Sequence, residues 1–249
     1  METFFTKDPE SGHTALKLFS ILWTQSILVS IFFVFMIILV GFYLPKNSYK
    51  ITFAKLIGFV LLCRFIFMHG YTVGIGAWDI QHNLPLHLCG ISSLISGILM
   101  IKYNQKIFEF LILLGFPGAI HSLLSPEFTY GHEGYFFYDF YLSHSGIILV
   151  PIYLTIVMNK KIKINSWKST FYIALIYTII VGFLNKLINS LFEGSANYMY
   201  LCNAPIAENP LILTTKWPLY LPMIILFGFL HIIFIYYFLK ITKGVQIYE

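Results

Sequence analysis

The stretch Leu84-Pro85-Leu86-His87-Leu88-Cys89-Gly90 opens a hydrophobic run that continues to Met100. Read as a helix, it places Cys89, Ser92, Ser93 and Ser96 at i, i+3, i+4 and i+7, on one face. A polar stripe on an otherwise apolar membrane segment points away from lipid, into a bundle or a cavity. Cys89 is the strong nucleophile on that stripe. A cysteine attacks as its thiolate, and a free thiol with a pKa of about 8.5 needs a base to form one. His87 is turned by roughly 200° around the helix and is better read on an unwound lead-in at Pro85. His144 suits the role better: it comes from another span and lies within about one turn of the same depth. Tyr141 and Ser145 flank it and can orient the ring. A Cys–His pair with hydroxyl and amide donors from Ser92, Ser93, Asn197 and Tyr198 is suited to acyl transfer. Spacing alone also allows the plainer reading, a packed membrane cysteine.

The elements that carry these residues are membrane spans. The chain of 249 residues is 58% hydrophobic and only 11% charged, with a mean hydropathy of +0.77. A soluble domain carries about a quarter charged residues. Seven apolar segments are long enough to cross about 30 Å of hydrocarbon, near residues 20–44, 52–69, 84–101, 107–124, 136–158, 169–192 and 217–240. The first is too long and continuous for a cleaved signal peptide, so it is expected to remain as a span. The fold class is therefore all-α, a polytopic seven-transmembrane-helix bundle forming one domain over 1–249. Three cysteines, Cys63, Cys89 and Cys202, make no disulfide pattern.

Charge sorts the connections. Lys46, Lys50, Lys55, Lys102, Lys106, Lys160, Lys161, Lys163, Lys168, Lys240 and Lys243 fall on one side. Glu2, Asp8, Glu10, Asp79, Glu127, Glu133, Asp139, Glu193 and Glu208 fall on the other. The positive-inside rule then puts the N-terminus outside and the C-terminus inside. The net charge of +5 is a topology signal, and no nucleic-acid partner is expected. Trp78, Tyr130, Tyr135, Tyr138, Trp217 and Tyr220 mark the outer border, as interfacial aromatics do.

Polar residues inside the spans gather toward the outer end. Arg64 and His69 belong to the second span, His121 to the fourth, and Gly182, Asn185, Lys186 and Asn189 make a stripe on the sixth. Glu109 and His231 are assigned to the inner half. One outward-facing polar chamber accounts for the pattern. Buried charges cost about 2.5–3.5 kcal/mol each on insertion scales. Arg64 and Lys186, with no acid at their depth, are expected either to hold an anionic headgroup or to snorkel to the interface. No HExxH, HxxxH or CxxC spacing lies within a helix, so no metal and no cofactor are expected. Gly90, Ser93 and Gly97 read as a close-packing face.

The Leu84–Cys89 motif, followed by the His144 segment, Asn197-Tyr198-Met199 and Trp217-Pro218, resembles the YwaF-like bacterial integral membrane proteins. These belong with the eukaryotic transmembrane protein 164 family. The likeness runs from about the second span through the seventh. It implies a membrane-embedded acyltransferase, or lipid ester hydrolase, that moves a fatty acyl group from a phospholipid through a cysteine and a histidine. By position those are Cys89 and His144, with Arg64, His87, Ser92, Ser93, Lys186, Asn197 and Tyr198 binding substrate. The implied partners are membrane phospholipids, and the implied location is a bacterial cytoplasmic membrane; oligomeric state stays open. The alternative is a transporter or binding protein for a small anionic solute or lipid, using the same chamber. No broken-helix signature or inverted repeat supports it.

Overall fold

The computed structural model describes residues 5–7, 14–128, 131–205 and 212–242. Glu2, Asp8, Glu10, Tyr130, Glu208 and Lys243 of the charge and aromatic pattern lie outside the described residues. The chain is mostly helical. Among the described residues, six helices are long and apolar enough to cross a membrane and a seventh apolar helix is shorter. The long ones are α1 (Ile21–Tyr43), α2 (Asn47–Gly74), a continuous segment from Gln105 to Leu124, α6 (Tyr135–Ile156), α7 (Ser166–Phe192) and α8 (Leu221–Ile241). The short one is α3 (Leu88–Ile101).

Helix α3 corrects the expected third span. Its 14 residues reach about 21 Å, well short of a bilayer core. Leu84 to His87 are not helical. Pro85 pushes the residue before it toward extended backbone, and Leu86 closes a tight turn onto the Leu84 carbonyl at 2.7 Å. Cys89 thus sits in the first turn of α3, at the helix terminus instead of buried along it.

The segment Gln105–Leu124 is the most enclosed of the long ones. It runs as α4 (Gln105–Phe110), a π-helical stretch (Leu111–Gly115) and α5 (Phe116–Leu124). Asn104 caps it by accepting a hydrogen bond from the Ile107 amide at 3.2 Å. Pro117 has no N–H to give the turn below it, and the widened stretch takes up the mismatch, with the Phe116 amide reaching the Leu111 carbonyl. Phe108, Leu111, Leu113, Ile147, Val150 and Tyr153 are fully buried around it, in one cluster with residues of α2, α3, α6 and α8. The middle of the bundle is apolar.

A three-stranded antiparallel sheet, not expected from the all-α reading, caps one end: β1 (Phe5–Lys7), β2 (Thr14–Leu16) and β3 (Glu127–Phe128). Strand alternation sends Phe128 into an apolar cluster with Leu16, Trp23, Leu123 and Tyr141, and leaves Glu127 on the other face.

Two contacts fix the helices that carry the site. Gly58 of α2 and Gly97 of α3 meet backbone to backbone: a Cβ on Gly58 would lie 2.7 Å from the Gly97 carbonyl oxygen. This is the close-packing face expected at Gly97, with its partner now identified. The second contact is Arg64, whose Nη1 donates to Asp139 at 2.5 Å and whose Nη2 donates to Ser93 at 2.6 Å. Arg64 was expected to lack a counter-charge. Instead, Asp139, one turn into α6, reaches down to it, and both side chains are largely covered, at 9% and 13% exposure.

A valine at Gly58 should force α2 and α3 apart and cost about 1–3 kcal/mol, read as a lower unfolding temperature in detergent; an unchanged temperature would contradict the contact. Asp139→Ala strands a buried guanidinium and should cost about 3–5 kcal/mol. Arg64→Met together with Asp139→Leu should recover most of that loss. Equal stabilities for Asp139→Ala and the unaltered protein would mean that Arg64 reaches water or a headgroup instead.

Candidate functional site

At the end of the bundle closed by residues 75–87, 125–128, 131–134, 193–205 and 212–220 lies a cavity of about 420 Å³, within the usual range for small-ligand sites. Its walls come from the start of α3, from α5, α6 and α8, and from the two longer connections. Cys89, Ser122, His144, His121, His231, Glu127 and Tyr200 face it among apolar neighbours such as Leu114, Phe140, Ile224 and Phe227.

The start of α3 is held by its surroundings. Asn185 of α7 exchanges two hydrogen bonds with the Tyr198 backbone, donating to its carbonyl at 2.9 Å and accepting from its amide at 3.0 Å. Asn189 does the same with Ala196, at 3.1 and 2.6 Å. The Tyr198 hydroxyl then donates to the Ile80 carbonyl at 2.7 Å and accepts from the Leu84 amide at 2.9 Å. Burial pushes this phenol up to about 12, so it remains a donor. Tyr177 donates to the Leu86 carbonyl at 3.1 Å, and the Met199 amide donates to His87 Nδ1 at 3.2 Å. His87 is therefore the helix-capping position without a side-chain cap. The amides of Leu88, Cys89 and Gly90 have no helical partner, as in any first turn.

Cys89 and His144 are brought together. The thiol and the imidazole line the same cavity and lie close enough to interact electrostatically. His144 is buried, at 6% exposure, with its ring against Phe140 at 4.2 Å between centroids. Its Nδ1 lies 2.6 Å from the Phe140 carbonyl. That carbonyl can only accept, so Nδ1 carries the proton and Nε2 is left as the basic nitrogen. Ser122 approaches the sulfur from α5 at 3.3 Å, with its own hydrogen directed to the Gly118 carbonyl at 3.1 Å. Small residues let α3 come this close: a Cβ on Gly118 would meet Leu88 at 3.2 Å, and one on Gly115 would meet the Ser92 hydroxyl at 3.1 Å. Of the other cysteines, Cys63 faces outward from α2, and burial raises the thiol pKa of Cys202. Neither has a base at hand in the way that Cys89 does.

Several residues expected to bind substrate have other partners. Tyr198 braces the two connections, as above. Asn197 accepts from the amides of Cys202 and Asn203 at 2.9 and 3.0 Å and holds a turn. Ser93 holds Arg64, and Arg64 holds Asp139. Ser92 is fully buried against Gly115, away from the cavity. Lys186 is exposed on the outer face of α7 while Asn185 of the same stripe points inward; the snorkelling reading fits it. His87 does line the cavity, on the unwound lead-in expected of it.

Other cavity residues were not singled out from the sequence. Ser122 and Glu127 carry no spacing signal, because their partners are on other segments. Tyr200 lies directly after the Asn-Tyr-Met motif; burial, then the Glu127 carboxylate and Cys89, hold its phenol well above the ordinary value of 10, so it presents an O–H. His231 was assigned to the inner half, yet it faces this cavity from α8. The cavity reaches deeper than the charge pattern suggested. Among the described residues, no group of three or more His, Cys, Asp or Glu could hold a metal.

The sequence model of the TMEM164 family matches residues 12–239. An "Uncharacterized protein" of Treponema pallidum (strain Nichols) is 26% identical over 129 residues, or 51% of this chain and 50% of that protein. The chain thus spans about half the length of the curated relative it matches. No solved structure matches. Because the family match extends from ahead of α1 to the last turn of α8, the chain belongs to the TMEM164 family.

Proposed function

We propose that this membrane protein is an acyltransferase, or a lipid ester hydrolase, that carries a fatty acyl group on Cys89. The observation behind this reading is the Cys89 thiol beside His144 on the wall of one cavity, with the tautomer of His144 set by the Phe140 carbonyl. A nucleophile, a base and an orienting group in that order make the usual arrangement for covalent acyl transfer.

His144 Nε2 takes the thiol proton, and the sulfur attacks the carbonyl carbon of a phospholipid ester. The oxyanion develops beside the first turn of α3, where amides outside the helical ladder and the Tyr200 O–H supply donors. The C–O bond to the glycerol oxygen then breaks, that oxygen takes the proton back from His144, and a lysophospholipid leaves. An acceptor hydroxyl, or water, attacks the thioester and restores the thiol.

The site's depth supports a lipid substrate. The positive-inside rule puts the lysine-rich end of the bundle in the cytoplasm and the cavity at the outer leaflet, in the cytoplasmic membrane if the source is bacterial. Ester carbonyls lie just inside the headgroup layer, at the level of the first turn of α3. The apolar packing beneath the cavity, from Leu99 and Phe108 to Tyr153, argues against the alternative of a solute transporter, which needs a polar path to the other side.

Cys89→Ala should eliminate a mass adduct of one acyl chain after incubation with labelled phospholipid in vesicles, while expression and unfolding temperature stay near normal. An adduct that persists in this variant, or solute uptake that survives it, would defeat the reading. His144→Gln should slow alkylation of Cys89 by maleimide at neutral pH by about tenfold or more, because the base that holds the thiol proton is gone. An unaltered alkylation rate would show that His144 does not act on the sulfur.

A further inference from the structure

His231 repeats, on a different helix, the device that makes His144 a base. Its Nδ1 lies 2.6 Å from the Phe227 carbonyl, four residues earlier in α8. As with His144 and Phe140, the carbonyl can only accept, so the proton sits on Nδ1 and Nε2 has its lone pair available. Both rings line the same cavity. They reach it from different directions: α6 packs on α1, α3 and α5, whereas α8 packs on α7 and the π-helical stretch. Gly228, three residues before His231, also lines the cavity, and a Cβ there would meet nothing closer than Leu114 at 3.9 Å. The α8 wall therefore has room for a ligand beside the imidazole.

A histidine in the middle of an apolar helix of a membrane protein needs a reason. Its ring meets that of His121 edge-on at 6.0 Å between centroids, but packing alone does not supply the reason, because the ring is only partly buried and opens on the cavity. We infer that His231 is a second base, which deprotonates the hydroxyl that removes the acyl group from Cys89. This inference rests on the reading of Cys89 as the acyl carrier. In the step, the O–H of an alcohol or water gives its proton to His231 Nε2, and the oxygen attacks the thioester carbonyl carbon. The C–S bond then breaks, the ester or acid leaves, and the Cys89 thiolate regains a proton delivered from His231. His144 serves the sulfur and His231 serves the acceptor, so the two half-reactions are drawn from different helices. The acceptor class is a lipid hydroxyl, such as that of a lysophospholipid, with water as the hydrolytic substitute.

The test uses the full chain in detergent micelles with lysophospholipid and the p-nitrophenyl ester of a fatty acid. Nitrophenolate release separates acylation, as a burst, from deacylation, as the steady phase. For His231→Gln the burst should be kept within about twofold, the steady phase should fall by about 100-fold or more, and acyl-Cys89 should accumulate. Hydroxylamine, which needs no base at neutral pH, should discharge that adduct equally fast from variant and unaltered protein. A steady phase at the unaltered rate in both His231→Gln and His231→Asn overturns the inference. So does a burst lost together with maleimide labelling of Cys89 in both variants, which would assign His231 to packing. Absence of any Cys89 adduct in the unaltered protein would sink the Cys89 reading itself, and this inference with it.

Discussion

A backbone amide or carbonyl left unpaired in hydrocarbon costs several kcal/mol, and this constraint governs the open end of the bundle. Residues 75–87 and 193–203 run outside any α-helix at the ends of membrane helices, apart from one 3-10 turn at Tyr198–Tyr200. They can do so because side chains stand in for the missing ladder. Asn185 and Asn189 each pair with one residue of the second connection as a strand would. Tyr198, held by the first of these clamps, joins the second connection to the first through both its hydrogen and its lone pair. The position of Leu84, and so the start of α3, follows from asparagines on α7. The location of Cys89 is thus set by groups on other segments.

The short α3 and the cavity are two aspects of one arrangement. A helix of 14 residues leaves several ångströms of membrane depth to be filled by something else, and non-helical backbone survives there only where it is buried in protein or lines a cavity. Pro85 ends the possibility of a longer helix. The first-turn amides of α3 consequently open into the cavity next to Cys89, instead of lying at the membrane surface. On the neighbouring segment, Pro117 has a parallel effect. The π-helical turn below it shifts the register of α5, and Ser122 and His121 face the cavity along with Cys89.

Much of this was legible in the sequence. The long spans are found within a few residues of the observed helices, because length and hydropathy alone decide what can cross a bilayer. Cys89, Ser92, Ser93 and Ser96, about two turns of one face, are all turned inward, as a polar stripe in lipid must be. The matched depths of Cys89 and His144 were readable because rise per residue is constant. What was hidden depended on contacts between segments. Arg64 was given no counter-charge because Asp139 was counted as a rim residue, and depth along a sequence cannot show that a carboxylate reaches down from one turn into the next helix. Asn197 and Tyr198 were read as ligand donors because their types suit it; the fold uses those donors to close the chain on itself. Three-residue strands carry too few alternations to be seen, so the sheet that sets Glu127 was missed.

The distribution of polar groups with depth also constrains what the cavity does. Polar side chains line its upper part from four helices, while the layer beneath is packed with Leu99, Phe108, Leu113 and Val150, all but one of them without any exposed surface. A conduit would distribute its cost over the whole depth of the membrane, with polar groups or water at every level. Here the polar groups stop about halfway, at His231, some 15 Å along α8 at 1.5 Å per residue. A cavity that is polar at the level of ester carbonyls and apolar below it matches a lipid: head and carbonyl above, chain below. The two nitrogens with available lone pairs, on His144 and His231, both belong to residues that line the cavity. That vertical distribution, more than any one residue, is what supports the proposed acyl transfer over a path through the membrane.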